Sequence, residues 1–241
     1  MNAAAVRIAV SSSTFRRPLA AGELTQLEWV ERCASVLGAD GVLADVLDFP
    51  RRDAEYVAQL RKVAIDLGLV PFGLDASGLF EAAGDAARET ALALASGLGA
   101  AVVRGPLPPP GEVPPATFVE TVGVAKAFSR AAKAANVTLI VPAAPGTLGE
   151  DLAGVKHLIK DVDSAWLRVC PSALLGDAGP KERYPALTAT PADDPVAVAE
   201  RAARAWVILD VPTADRPWDL VADAVAALRH AEADRLLAAG R

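Results

Sequence analysis

Several short β-branched runs of this chain end on side chains able to bind a ligand or move a proton. Ser11, Ser12, Ser13 and Thr14 follow Arg7 to Val10, Asp45 and Asp48 follow Gly41 to Ala44, and Asp75 and Ser77 follow Leu69 to Phe72. Arg104 closes the run from Ala100 to Val103, Ser172 follows Trp166 to Val169, Thr188 and Thr190 lie in Ala186 to Thr190, and Asp210 ends Val207 to Leu209. Two carboxylates and a cation, Asp210, Asp75 and Arg104, form a set from which acid–base proton transfer could be built. Ser11, Asp45, Ser172 and Thr188 offer hydroxyl and carboxylate groups for holding a small polar substrate. An arginine inside a strand run points into the space the strands enclose, where an unpaired charge is costly. Arg104 should therefore face Asp75, Asp210 or an anionic ligand. Each residue also has a plainer use. Asp48 before Phe49-Pro50 and Ser77 before Gly78 can be loop or cap residues, Asp45 can satisfy backbone amides, and the serine run can be turn chemistry.

Two run ends carry no acid or histidine. Val137 to Val141 leads into Pro142, Ala143 and Ala144, and Trp166 to Val169 leads into Cys170, Pro171 and Ser172. Both histidines, His157 and His230, fall within helical patterns, where an imidazole is ordinarily a solvated surface group. The two cysteines, Cys33 and Cys170, are far apart in sequence and form no metal or redox spacing, which fits a reducing compartment.

The elements that must position these residues repeat one pattern: an Ala/Leu-rich amphipathic stretch, a glycine or asparagine stop, then a short β-branched run. Gly38, Gly68, Gly99 and Asn136 are such stops. Helix starts are marked by Thr25 with Glu28, by Asp53 ahead of Glu55 to Asp66, and by Thr147 with Glu150. Eight strand candidates spaced by about 20 to 35 residues predict an α/β fold, a (β/α)8 TIM barrel. An open doubly wound sheet is the competitor, but it would place a Gly-rich phosphate loop after the first strand, and that loop reads Ser11 to Arg16. Leu174 to Tyr184 is too short and too rich in glycine, proline and charge for a full helix, which predicts a reduced sixth helix. Gly105 to Pro115 predicts a stiff proline-rich loop beside the barrel mouth. No second domain or linker is legible, so residues 1–241 are expected to form a single domain.

Composition narrows the partners. A chain of 241 residues can bury about 70 to 75% of its unfolded surface. Its 24 Lys and Arg against 30 Asp and Glu give a net charge of −6, with no basic stripe interleaved with aromatics, so no nucleic-acid partner is expected. No window approaches the roughly 18 apolar residues of a membrane span. Arg7 interrupts the first apolar run, so no export signal is read there and a cytoplasmic location is expected. The Ala-rich helices permit a homodimer or another protein partner.

Ile8 to Ser11 followed by Leu24 to Leu37, Gly38 to Val42, the Asp53 to Leu67 helix with Gly68-Leu69-Val70, and Ala95 to Arg104 together resemble the xylose isomerase-like TIM barrels. The resemblance continues through Asn136 to Leu139, Asp161 to Pro171, Trp206 to Asp210 and Pro217-Trp218, and so covers nearly the whole chain. That superfamily includes sugar phosphate isomerases and epimerases and relatives of AP endonuclease family 2. It implies a divalent metal held at several strand tips. In that pattern the acid after the second strand falls on Leu43, with Asp45 two residues on, and the Glu-Asn-His after the fifth falls on Pro142, Ala143 and Ala144. The Asp-x-Gly-Asn after the sixth falls on Ser172 to Leu175, the histidine of the seventh has no match in Ala186 to Thr190, and the glutamate of the eighth falls on Asp210. Alanine, proline and leucine cannot ligate, so no tightly held metal and no other cofactor are expected.

Two functions remain open. In the first the chain is a sugar phosphate isomerase/epimerase-like barrel that has lost its metal chemistry and acts as a non-catalytic pseudoenzyme, a small-molecule-binding or partner subunit. In the second it remains an isomerase, epimerase or lyase on a sugar-like carbonyl substrate, either metal-free or with a weak metal on Asp45, Asp75 and Asp210. Asp75, Arg104 and Asp210 converging in a pocket would favour catalysis, and a mouth plugged by Pro142, Leu175 and the proline-rich loop would oppose it.

Overall fold

In the computed structural model, residues 5–172, 184–202, 205–211 and 217–239 are described. Eight strands, β1 (Arg7–Ser11), β2 (Gly41–Asp45), β3 (Val70–Asp75), β4 (Val102–Arg104), β5 (Thr138–Pro142), β6 (Leu167–Cys170), β7 (Ala186–Ala189) and β8 (Trp206–Leu209), form one parallel sheet. Its order is β6-β5-β4-β3-β2-β1-β8-β7, so the edges left to meet are β6 and β7. Among the described residues they are joined where Ser172 bridges Thr188 in parallel and the Thr188 amide donates to the Pro171 carbonyl at 2.9 Å. The result is a nearly closed (β/α)8 barrel. The helices are α1 (Arg16–Ala20), α2 (Gln26–Ser35), α3 (Ala54–Asp66), α4 (Asp85–Leu98), α5 (Pro114–Ala134), α6 (Leu152–Val162), α7 (Pro195–Arg201) and α8 (Pro217–Ala239).

Local signals account for most boundaries. Thr25 accepts from the Glu28 amide while Glu28 reaches back to the Thr25 amide, closing a capping box on α2. Asp53 caps α3 through the Tyr56 amide. Gly99 ends α4 at φ 70°, and Asn136, at φ 57°, turns the chain from α5 into β5 in the same left-handed region. The start read at Thr147 is a correction. Asp151 caps α6, accepting from the Gly154 amide at 2.7 Å, while the Thr147 hydroxyl donates to the Ala144 carbonyl at 2.8 Å inside the preceding loop. A carboxylate directly ahead of the helix takes the cap from a threonine four residues upstream. The short α1 has no counterpart in the sequence reading. The expected reduced sixth helix falls largely on residues 173–183, outside the described residues.

Alternation along each strand separates two cores. Ala9, Leu43, Phe72, Val102, Ile140, Cys170, Ala186, Trp206 and Ile208 fill the barrel interior, while the outward residues of the strands pack beneath the helices. Toward the N-terminal ends of the strands Trp206 stacks on Phe72 with ring centroids 4.6 Å apart, and the Arg7 guanidinium lies over the indole. Gly41 makes room for that indole: a Cβ there would stand 2.9 Å from the ring and 2.7 Å from the Val70 carbonyl oxygen.

One irregularity aims the site. Val42 pairs with Pro71 but Leu43 pairs with Gly73, so β3 carries an extra residue at Phe72. Phe72 faces the interior and Leu74, two residues on, faces the helices, a reversal of the usual alternation. The bulge therefore turns Asp75 inward, level with Arg104 on β4, its register partner.

Candidate functional site

Polar inward side chains at the C-terminal ends of β1, β3, β4 and β7 and just past β8 are bonded to one another. Arg104 is at the centre. Its Nε donates to Asp75 Oδ1 at 2.5 Å, its Nη2 donates to Asp75 Oδ2 and, at 2.5 Å, to Asp210 Oδ2, and its Nη1 donates to Thr188 Oγ1 at 3.2 Å. Asp210 Oδ1 accepts from Ser13 Oγ at 2.7 Å, Ser13 and Ser11 share a 2.8 Å hydrogen bond, and Ser11 Oγ reaches Asp75 Oδ2 at 3.5 Å. The thiol of Cys170 lies 3.5 Å from the Thr188 hydroxyl. Ser11, Asp75, Arg104, Thr188 and Asp210 thus form one network spanning β1, β3, β4, β7 and the end of β8.

Asp45 belongs to a second, adjoining cluster. Arg16, at the start of α1, bonds Asp45 through Nη2 and lies 3.5 Å from Asp48 through Nε. Ser12 Oγ donates to Asp48 Oδ2 at 2.5 Å and accepts from the Asp45 amide at 2.8 Å, while Asp45 Oδ1 caps the following turn through the Leu47 amide. Asp45 therefore does satisfy backbone, and also binds a cation. Ser172 joins the rim through its strand bridge to Thr188. Thr190 is exposed, its amide bonded to the Asp193 carboxylate at 2.8 Å, and Ser77 is exposed as well.

Burial sets the electrostatics. Side-chain exposure is 7% for Arg104, 12% for Asp75 and 23% for Asp210. Burial pushes the Asp75 carboxyl above the usual carboxylate range, with the Arg104 guanidinium working against the rise. Burial opposes the charge of Arg104, but the Asp75 and Asp210 carboxylates outweigh it and hold the guanidinium protonated. Asp45 and Asp48 are also raised by burial, offset in part by the Leu47 amide, Ser12 and Arg16. Burial likewise raises the Cys170 thiol, which makes it a poor nucleophile.

The divalent ion implied by the sequence resemblance does not fit this donor set. Asp75 and Asp210 are bound to Arg104, Asp45 is bound to Arg16, and the β5 tip presents Pro142. Among the described residues no group of three or more His, Cys, Asp or Glu side chains is arranged to hold a metal ion. His157 and His230 lie on exposed helix faces, each 3.7 Å from an aspartate one turn on.

Sequence reasoning placed the three charged residues of the central network at strand tips but missed Ser13 as the link between Asp210 and Ser11, and Arg16 as the partner of Asp45. A basic residue five positions after Ser11 is the one signal that could have suggested Arg16. Pro142 and Ala143 are half-buried, Leu107 of the proline-rich loop is buried, and Leu175 lies outside the described residues. Two cavities, of about 310 and 280 Å³, lie elsewhere, one between β7, α7 and α8 and the other beside α4, and neither is lined by Asp75, Arg104 or Asp210.

No family model matches the chain, and no curated protein matches it either. Solved structures do. A xylose isomerase-like TIM barrel/4-hydroxyphenylpyruvate dioxygenase fusion protein superposes at TM-score 0.75 with 15% identity, covering 98% of this chain, which spans 45% of the fusion. A 3-keto-D-glucoside 4-epimerase from E. coli gives 0.72 at 12% identity, covering 93% of this chain and 99% of that one. D-psicose 3-epimerase in the presence of D-fructose gives 0.70 at 15% identity over 95% and 98% of the two chains. The fold is that of the xylose isomerase-like TIM barrels.

Proposed function

We propose that the barrel mouth binds a small, hydroxyl-rich, sugar-like molecule without metal-dependent isomerisation, so that the chain serves as a binding or partner subunit. The supporting observation is the engagement of both central carboxylates: Asp75 is held through both oxygens by Arg104, and Asp210 bonds Arg104 through one oxygen and Ser13 through the other. A carboxylate so engaged is poorly placed to take a proton from carbon, whereas the surrounding hydroxyls of Ser13, Ser172 and Thr188 can exchange hydrogen bonds with a polyol. The sugar epimerases of the same fold support the ligand class.

One observation favours a second, catalytic reading. Asp75, Arg104 and Asp210 do converge within hydrogen-bonding reach, and Asp210 is the more exposed of the two acids. Arg104 could then polarise a carbonyl while Asp210 moves a proton, with no metal. Calorimetric titration of keto-sugars and hydroxy-ketones, paired with product analysis, separates the two. The binding reading expects saturable binding with the same dissociation constant in EDTA and in Mn²⁺, and no product. Turnover that is lost in Asp210→Asn would overturn it and establish the catalytic reading.

A further inference from the structure

The position of one arginine nitrogen carries an inference that holds whether or not the mouth binds a sugar. Asp75 and Asp210 lie at the ends of β3 and β8, strands separated in the sheet by β2 and β1, yet an oxygen of each converges on Nη2 of Arg104. The guanidinium is aligned from its other side by Nε on Asp75 and Nη1 on Thr188. Two carboxylates this deeply placed would be strongly unfavourable without a counter-charge.

We infer that Arg104 is a tethered counter-ion: its Nη2 occupies a cation position between Asp75 and Asp210, and its covalent attachment to β4 makes the charge balance and geometry of the mouth independent of any bound metal. Arg104 is thereby a positioning residue that fixes two acids and a threonine. Removing its side chain leaves an anionic cradle with a guanidinium-sized space, and that cradle takes up either a divalent cation with oxygen preference or a free guanidinium ion. The Ser13 and Ser11 hydroxyls, already bonded to the two acids, hold the cradle in place once Arg104 is gone.

The test is cation uptake by Arg104→Ala and by Arg104→Gln, which keeps much of the volume but not the charge. Free Mn²⁺ is followed by electron paramagnetic resonance, and melting temperature is followed with Mn²⁺ or methylguanidinium added. Wild type is expected to take up no Mn²⁺ at the mouth. Each variant is expected to bind one equivalent, and its melting temperature should rise by roughly 5 to 10 °C at a cation concentration about a hundredfold above the dissociation constant. Adding Asp210→Asn should abolish both effects, which a loss of packing alone would not do. Stoichiometric Mn²⁺ uptake by wild type that Asp210→Asn removes would overturn the inference, as would variants that bind neither cation. Variants that fail to fold and regain structure with neither Mn²⁺ nor methylguanidinium would overturn it equally.

Discussion

The chemistry of the mouth is set by how few of its charges are free. Arg104 and Arg16 each bind two aspartates, and burial raises Asp45, Asp48 and Asp75 above the ordinary aspartate value of 3.8 despite those partners. With folded pKa values above the unfolded ones, the folded chain holds protons that the unfolded chain has released. The stabilisation from protonation is full below the unfolded value and is lost as pH rises through the folded values. Urea unfolding of wild type and of Asp75→Asn and Asp48→Asn from pH 7 down toward pH 4 should show wild type gaining on each variant as pH falls. A wild type that loses ground to both variants over that range would mean that pairing with arginine, not burial, governs these carboxyls.

At the scale of elements, most of the barrel was legible because its signals are local. Stops such as Asn136 and Gly99 and caps such as Thr25 and Asp53 act within a turn of the residues that display them. What escaped depends on contacts distant in sequence. The sequence places the third run at Leu69 to Phe72, whereas pairing with β2 and β4 carries the strand to Asp75. The bulge that turns Asp75 inward exists only in the register between strands. Arg104 was legible as a charge needing a partner, but its simultaneous hold on Asp75 and Asp210 requires closure of the ring. Gly73 tests this element directly. A Cβ there would stand 2.4 Å from Val102 Cγ2 and 2.9 Å from the Val102 carbonyl oxygen. Gly73→Ala should cost about 1 to 3 kcal/mol by denaturant unfolding, through overpacking at the bulge. Unchanged stability would mean that β3 can shed the bulge, and with it the inward aim of Asp75.

Across the whole molecule, the ring is tied by its last helix as well as by its strands. Glu232 of α8, itself buried, accepts from the Val6 amide, and Arg229 bonds the Val6 carbonyl at 2.7 Å and Asp40 at 2.6 Å. These contacts join the two ends of the barrel at the face opposite the mouth, where stability is secured away from the site. No helix among the described residues is long and apolar enough to cross a membrane. The barrel thus frames a rim at which two guanidiniums, Arg16 and Arg104, are shared among four carboxylates, Asp45, Asp48, Asp75 and Asp210. Carboxylates grouped this closely favour a nearby cation, and the two tethered guanidiniums take that role. Anomalous diffraction from crystals grown in Mn²⁺ examines this most directly. The account predicts continuous density for the Arg104 guanidinium between Asp75 and Asp210, with no manganese peak on either carboxylate. A peak ligated by Asp75, Asp210 or Asp45, with Arg104 turned aside, would contradict it.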